Sequence, residues 1–151
     1  MKVMIFLMLI LSFTLFNEPI QANPEKNAVK SEDKGIGPIK EIKRTEIDEA
    51  LAVEGVKLFQ GNCLTCHSLD KTVIGPPFRN ITKERTPEFI MNMMLNTEEM
   101  QQKNETIKAL ASKYKMTMPE LDLKRYEARA ILEYLRKAAV DGVKKKSVEK
   151  K

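Results

Sequence analysis

The sequence predicts an all-α domain of about four to five helices, and three observations support it. Apolar residues recur at steps of three and four in separate stretches between residues 45 and 140, the period of an amphipathic helix. No segment shows the single-residue alternation of a half-buried strand, and no internal repeat breaks the chain into stacked units. A length of 151 residues suits one ordinary domain, and a 42% hydrophobic composition is enough to bury a core.

Lys2 precedes the 14-residue apolar run from Val3 to Phe16, which has the length of a signal h-region and falls short of a membrane span. Residues 1–22 are therefore expected to be a signal peptide cleaved after Ala22. Ile20, bulkier than the small residue preferred three places before the cut, keeps an uncleaved membrane tether as the alternative. Residues 23–44 are polar, contain Pro24, Gly35, Gly37 and Pro38, and lack an apolar period. They are expected to be a flexible polar linker or arm.

The folded domain is expected over residues 45–140. Thr45 reads as a helix N-cap with Asp48 three residues on, followed by Ile47, Leu51, Leu58 and Phe59 along one face until Gly61. A second helix opens at Thr86 and Pro87 and carries Phe89, Ile90, Met93 and Met94. A third runs from about Thr106 to Tyr114, with Ile107, Leu110 and Ala111 inward. The last begins near Asp122 and presents Ala128, Ile131, Leu132 and Leu135 through Ala139, leaving 141–151 as a basic flexible tail.

Charge argues against nucleic acid as the partner. The formal net charge of +5 lies wholly in the flanks, because residues 45–140 carry 14 basic and 14 acidic side chains. A balanced domain offers no electrostatic footprint for a phosphate backbone.

The pentapeptide Cys63-Leu64-Thr65-Cys66-His67 contains both cysteines and the only histidine of the chain. This spacing is that of c-type haem attachment. Thiols three positions apart can each add to a vinyl group of one porphyrin, and the adjacent imidazole then sits under the iron. A thioredoxin-like pair would need a βαβ setting and a thiol at a helix start, whereas this pair follows a helix end. Zinc would need further ligands that the chain lacks, and a disulfide across two residues would leave His67 without a role.

With these residues in view, the chain from about 45 to 138 resembles the small soluble class I cytochromes c. Gly55 and Phe59 stand eight and four residues before Cys63, matching the family's N-terminal helix, where the glycine admits the C-terminal helix and the aromatic covers the haem edge. Ile131 and Tyr134 match the partners of that crossing. The resemblance implies a fold wrapped around one covalently attached haem c. It also implies that the Pro76 carbonyl in Gly75-Pro76-Pro77-Phe78 orients the His67 imidazole and that Phe78 packs on the haem.

The sixth ligand in the family is a methionine sulfur. Of the six methionines downstream of the signal, Met91, Met93 and Met94 sit at core spacing and Met100 lies in a polar helix-turn region. Met118 precedes Pro119 just before the last helix and matches the family's Met-Pro signature. Met116 is the competitor, with Lys115 or an open site as further alternatives. The chain departs from the family in having no Trp; Phe89 stands where many relatives place a tryptophan that donates to a haem propionate, and Phe cannot donate. Arg79 or Arg85 is the candidate replacement.

These expectations describe a one-electron carrier, not an enzyme, because an iron held by His67 and Met118 has no open position and the chain has no second histidine or spare cysteine to act as acid, base or nucleophile. Its redox partners would be an upstream quinol-oxidising complex and a downstream oxidase or reductase, in the periplasm or another exported compartment. The alternatives are a five-coordinate haem enzyme or gas sensor, and a docking subunit of a respiratory complex using residues 23–44 as a wrapping arm.

Overall fold

The computed structural model describes residues 32–43 and 45–148, with side chains through residue 142. The expected signal peptide lies outside the described residues. Six helices are present among them: α1 (Glu49–Asn62), α2 (Ile81–Glu84), α3 (Pro87–Leu95), α4 (Thr97–Lys103), α5 (Glu105–Tyr114) and α6 (Arg125–Val148). No strand occurs among the described residues, so the fold is all-α.

The N-cap of α1 is Asp48, whose carboxylate accepts from Leu51 N–H at 3.0 Å. Thr45, the expected cap, lies outside the helix, and its carbonyl instead accepts from Arg136 at 2.6 Å. At α3 the Thr86 hydroxyl accepts from Phe89 N–H and Pro87 occupies the first turn, as Thr-Pro followed by an apolar run predicts. Asp122 adopts φ +48° and cannot start a helix; α6 begins at Arg125, where the Glu127 carboxylate reaches back to Lys124 N–H at 2.7 Å. The helix then continues to Val148, well beyond the expected end near Ala139. The apolar stripe ends there, but lysine is a good helix former and its charge suits a helix C-terminus.

The core is the crossing of α1 and α6. Ala52, Gly55 and Phe59 form the buried face of α1, and Ala128, Ile131, Leu132 and Leu135 form that of α6. A Cβ on Gly55 would lie 2.0 Å from the Ala130 carbonyl oxygen and 2.9 Å from Tyr134 Cβ, so only glycine lets the two backbones approach this closely. Ile90, Met91 and Met94 of α3 close the third side.

Residues 32–43, part of the segment expected to be a flexible polar linker or arm, form an extended arm laid along α3 and α4. Asn92, 1% exposed, reads its backbone three times: Oδ1 accepts from Ile39 N–H, and Nδ2 donates to the Lys34 and Ile39 carbonyls, each at 2.9 Å. Glu88 accepts from Ile42 N–H at 2.8 Å, Thr86 donates to the Asp33 carbonyl at 2.7 Å, and Ile39 is buried in the core. The polarity of the arm's sequence hid this, because it is held through its backbone by polar side chains of α3. Asn92→Ala is therefore expected to lower stability by about 2–4 kcal/mol, since it leaves buried backbone groups unpaired. Urea unfolding of the holoprotein measures this; a loss below about 0.5 kcal/mol, typical of a surface change, would show that the arm is not part of the folding unit.

Candidate functional site

The end of α1 places the Cys63 to His67 segment. Cys63 is the C-cap, its N–H bonded to the Phe59 carbonyl at 2.8 Å, and its own carbonyl accepts from Cys66 N–H at 3.1 Å and His67 N–H at 2.8 Å. This extra turn brings both cysteines and His67 to the wall of one cavity. Both thiols are free. Burial, reinforced by the nearby Cys66, pushes the Cys63 thiol up to about 11, which is opposite to the activated thiolate of a redox pair. Among the described residues no cluster of His, Cys, Asp and Glu could hold a metal ion by itself.

The loop that follows fixes the imidazole. Gly75 N–H donates to the Cys66 carbonyl at 2.8 Å and Phe78 N–H to that of Ser68 at 2.9 Å, folding Gly75-Pro76-Pro77-Phe78 back over the histidine. His67 Nδ1–H donates to the Pro76 carbonyl at 2.9 Å. A carbonyl can only accept, so the neutral ring carries its proton on Nδ1 and keeps the Nε2 lone pair for a metal. Burial lowers the His67 pKa below the usual histidine value, and the Pro76 hydrogen bond partly offsets this. Phe78 stacks on the imidazole, centroids 4.0 Å apart, and meets Phe59 edge-on. A Cβ on Gly75 would come within 2.3 Å of His67 Cε1, which explains glycine at that position.

Met118 lines the same cavity and is half-buried; Met116 also reaches it but is 54% exposed. Met93 and Met94 contribute to the wall from α3. Met100 is fully buried elsewhere, its sulfur accepting from Ile36 N–H of the arm at 3.0 Å. Lys115, with φ +53°, ends α5 and does not line the cavity.

The two candidate arginines part company. Arg79 pairs with Asp70 through both carboxylate oxygens and donates to the Ala138 carbonyl at 3.0 Å, tying the loop to α6 away from the cavity. Arg85 lies at the cavity wall, its guanidinium 5.5 Å from the centroid of the Phe89 ring. Its Nη1 donates to the Glu84 carbonyl, while its buried Nε has no hydrogen-bond partner in the structure. Such an orphaned donor calls for an acceptor, and a carboxylate at the cavity wall would satisfy it.

Sequence reasoning missed Gln101. It lies on α4, a helix that the polar sequence around Met100 concealed, and its side chain pairs with the Met118 backbone in both directions: Nε2 donates to the Met118 carbonyl and Oε1 accepts from Met118 N–H, each at 2.9 Å.

This donor set fits a covalently bound haem: two free thiols and an oriented imidazole on one turn, a largely apolar cavity, and an arginine donor lacking an acceptor at its wall. The family model described as cytochrome c matches residues 52–139. The cytochrome c from Rhodothermus marinus is 45% identical with a TM-score of 0.68, the match covering 70% of this chain and 91% of that one. An engineered version of that protein, Rma TDE, solved bound to a carbene intermediate (1-ethoxy-1-oxopropan-2-ylidene), is 47% identical over 69% of this chain and 91% of that one, with a TM-score of 0.64. No curated protein matches the chain significantly.

Proposed function

The chain belongs to the cytochrome c family and so carries covalently bound haem c, and we propose that it serves as a monohaem electron carrier of an exported respiratory chain, its iron held by His67 and Met118. Cys63 and Cys66 form the thioether links. The Pro76 carbonyl holds the His67 ring in the orientation and tautomer that present Nε2 to iron, and makes that nitrogen more basic. Arg85, whose buried Nε–H has no partner among the described residues, would donate to a haem propionate in place of the missing tryptophan.

When bound, the haem would supply an iron that gains and loses one electron, and an imidazole and a thioether as its ligands would favour the reduced state and raise the potential. The chain's residues keep that change small in geometry. Phe78 and Phe89 line the cavity and exclude water from it, Phe59 backs Phe78 edge-on from the core, and the stacked Phe78 ring restrains His67 from turning. The observation that carries this reading is the His67 Nδ1–H to Pro76 bond beside the two free thiols.

Family membership implies redox partner proteins. A quinol-oxidising complex upstream and an oxidase or reductase downstream fit a carrier of this kind. Export is supported by the sequence of residues 1–22; among the described residues no helix is long and apolar enough to cross a membrane. The carbene-bound engineered relative gives the five-coordinate enzyme reading its basis, and that reading requires Met118 to stay off the iron. Residues 32–43 lie on their own domain, so the part of the arm described here does not support the docking-subunit reading.

Expression with haem-maturation machinery tests the assignment. The protein is expected to keep its haem through acid-acetone extraction, to titrate reversibly as a one-electron couple, and to leave carbon monoxide unbound when reduced. Rapid carbon monoxide binding by the reduced wild type would favour the five-coordinate reading.

A further inference from the structure

We infer that Gln101 is the positioning residue for the sixth ligand, holding the Met118 backbone so that its thioether stays on the iron. The inference rests on the reading of Met118 as that ligand. Three observations support it. The Gln101 amide satisfies both backbone groups of Met118, as a neighbouring strand would, with two bonds of 2.9 Å. The loop around Met118 has no other such restraint among the described residues: it enters through Lys115 at φ +53° and leaves through Asp122 at φ +48°, both uncommon conformations for residues with a side chain. The helix bearing Gln101 is itself anchored, because Met100 is fully buried and its sulfur accepts from Ile36 N–H of the arm at 3.0 Å.

The physical consequence concerns ligand exchange. Where an outside ligand replaces the thioether by carrying the loop and Met118 away, both amide bonds must break with it. Gln101, which lines the same cavity, thus opposes loss of the ligand through its two bonds to the Met118 backbone. Exchange of a thioether for an imidazole nitrogen moves no electron, so equilibrium binding reads this effect directly.

The test is imidazole titration of the ferric holoprotein, followed by the far-red sulfur-to-iron band and the Soret shift, for wild type, Gln101→Leu, Gln101→Glu and Met118→Ala. Gln101→Leu keeps most of the side-chain volume, removes both hydrogen bonds and brings no new ligand to the cavity that Gln101 lines, and is expected to bind imidazole about tenfold more tightly or better. Gln101→Glu retains the acceptor for Met118 N–H but not the donor, and is expected to fall between wild type and Gln101→Leu. A purely structural role would lower thermal stability without this graded order. Wild-type imidazole affinity in Gln101→Leu or, should that variant not fold, in Gln101→Glu, together with a changed Met118→Ala, overturns the inference and leaves the ligand reading standing. Unchanged behaviour of Met118→Ala overturns the ligand reading and the inference together.

Discussion

Met118→Ala is expected to abolish the far-red sulfur-to-iron band of the ferric protein, lower its potential, and open the reduced iron to carbon monoxide. Met118 is half-buried on the wall that it shares with Cys63, Cys66 and His67, and the loop carrying it is fixed by Gln101. Removing the thioether takes away the second proposed ligand, and the chain has no other histidine to replace it. Met116→Ala is the control: that residue is 54% exposed, and its loss is expected to leave all three properties nearly unchanged. If the two variants exchange behaviours, Met116 is the ligand. Optical spectra and a redox titration decide between them.

Gly55→Ala is expected to destabilise the fold by about 3 kcal/mol or more, against the usual sign for a helix interior. Replacing glycine by alanine in a helix ordinarily gains about 1 kcal/mol. Here the new Cβ would sit 2.0 Å from the Ala130 carbonyl oxygen, and a backbone oxygen cannot move aside as a side chain can, so the helices must separate. The overpacking cost exceeds the propensity gain. Gly61, on the same helix, has nothing within 4 Å of its would-be Cβ, and Gly61→Ala is expected to be neutral or stabilising by up to about 1 kcal/mol. Guanidinium unfolding of the two holoproteins measures the contrast. Equal effects at Gly55 and Gly61 would mean that the crossing is looser than the structure has it.

What was legible in the sequence was local and periodic. Cys63, Cys66 and His67 sit within five residues, and the Gly75-Pro76-Pro77-Phe78 turn follows at once, so chain geometry alone brings them together. The apolar stripe of α6 and the Thr86-Pro87 start of α3 likewise follow from short-range rules. What stayed hidden depends on contacts distant in sequence. Asn92 is an ordinary polar residue of a helix until residues 34–39 fold onto it, and nothing near Gln101 announces that it pairs with a backbone 17 positions away. The choice between Arg79 and Arg85 was equally open, and it turned on which of them Asp70 and Ala138 had already engaged. Backbone-directed side-chain bonds leave no periodic trace, and so both the arm and the Met118 clamp escaped pattern reading.

Iron-edge X-ray absorption of the ferric holoprotein, wild type beside Met118→Ala, tests the proposed ligand set most directly. His67 and Met118 as axial ligands require a sulfur in the iron's first shell alongside nitrogens in the wild type, and its loss in the variant. A wild-type shell of nitrogen and oxygen alone, or a sulfur that persists in Met118→Ala, would contradict it.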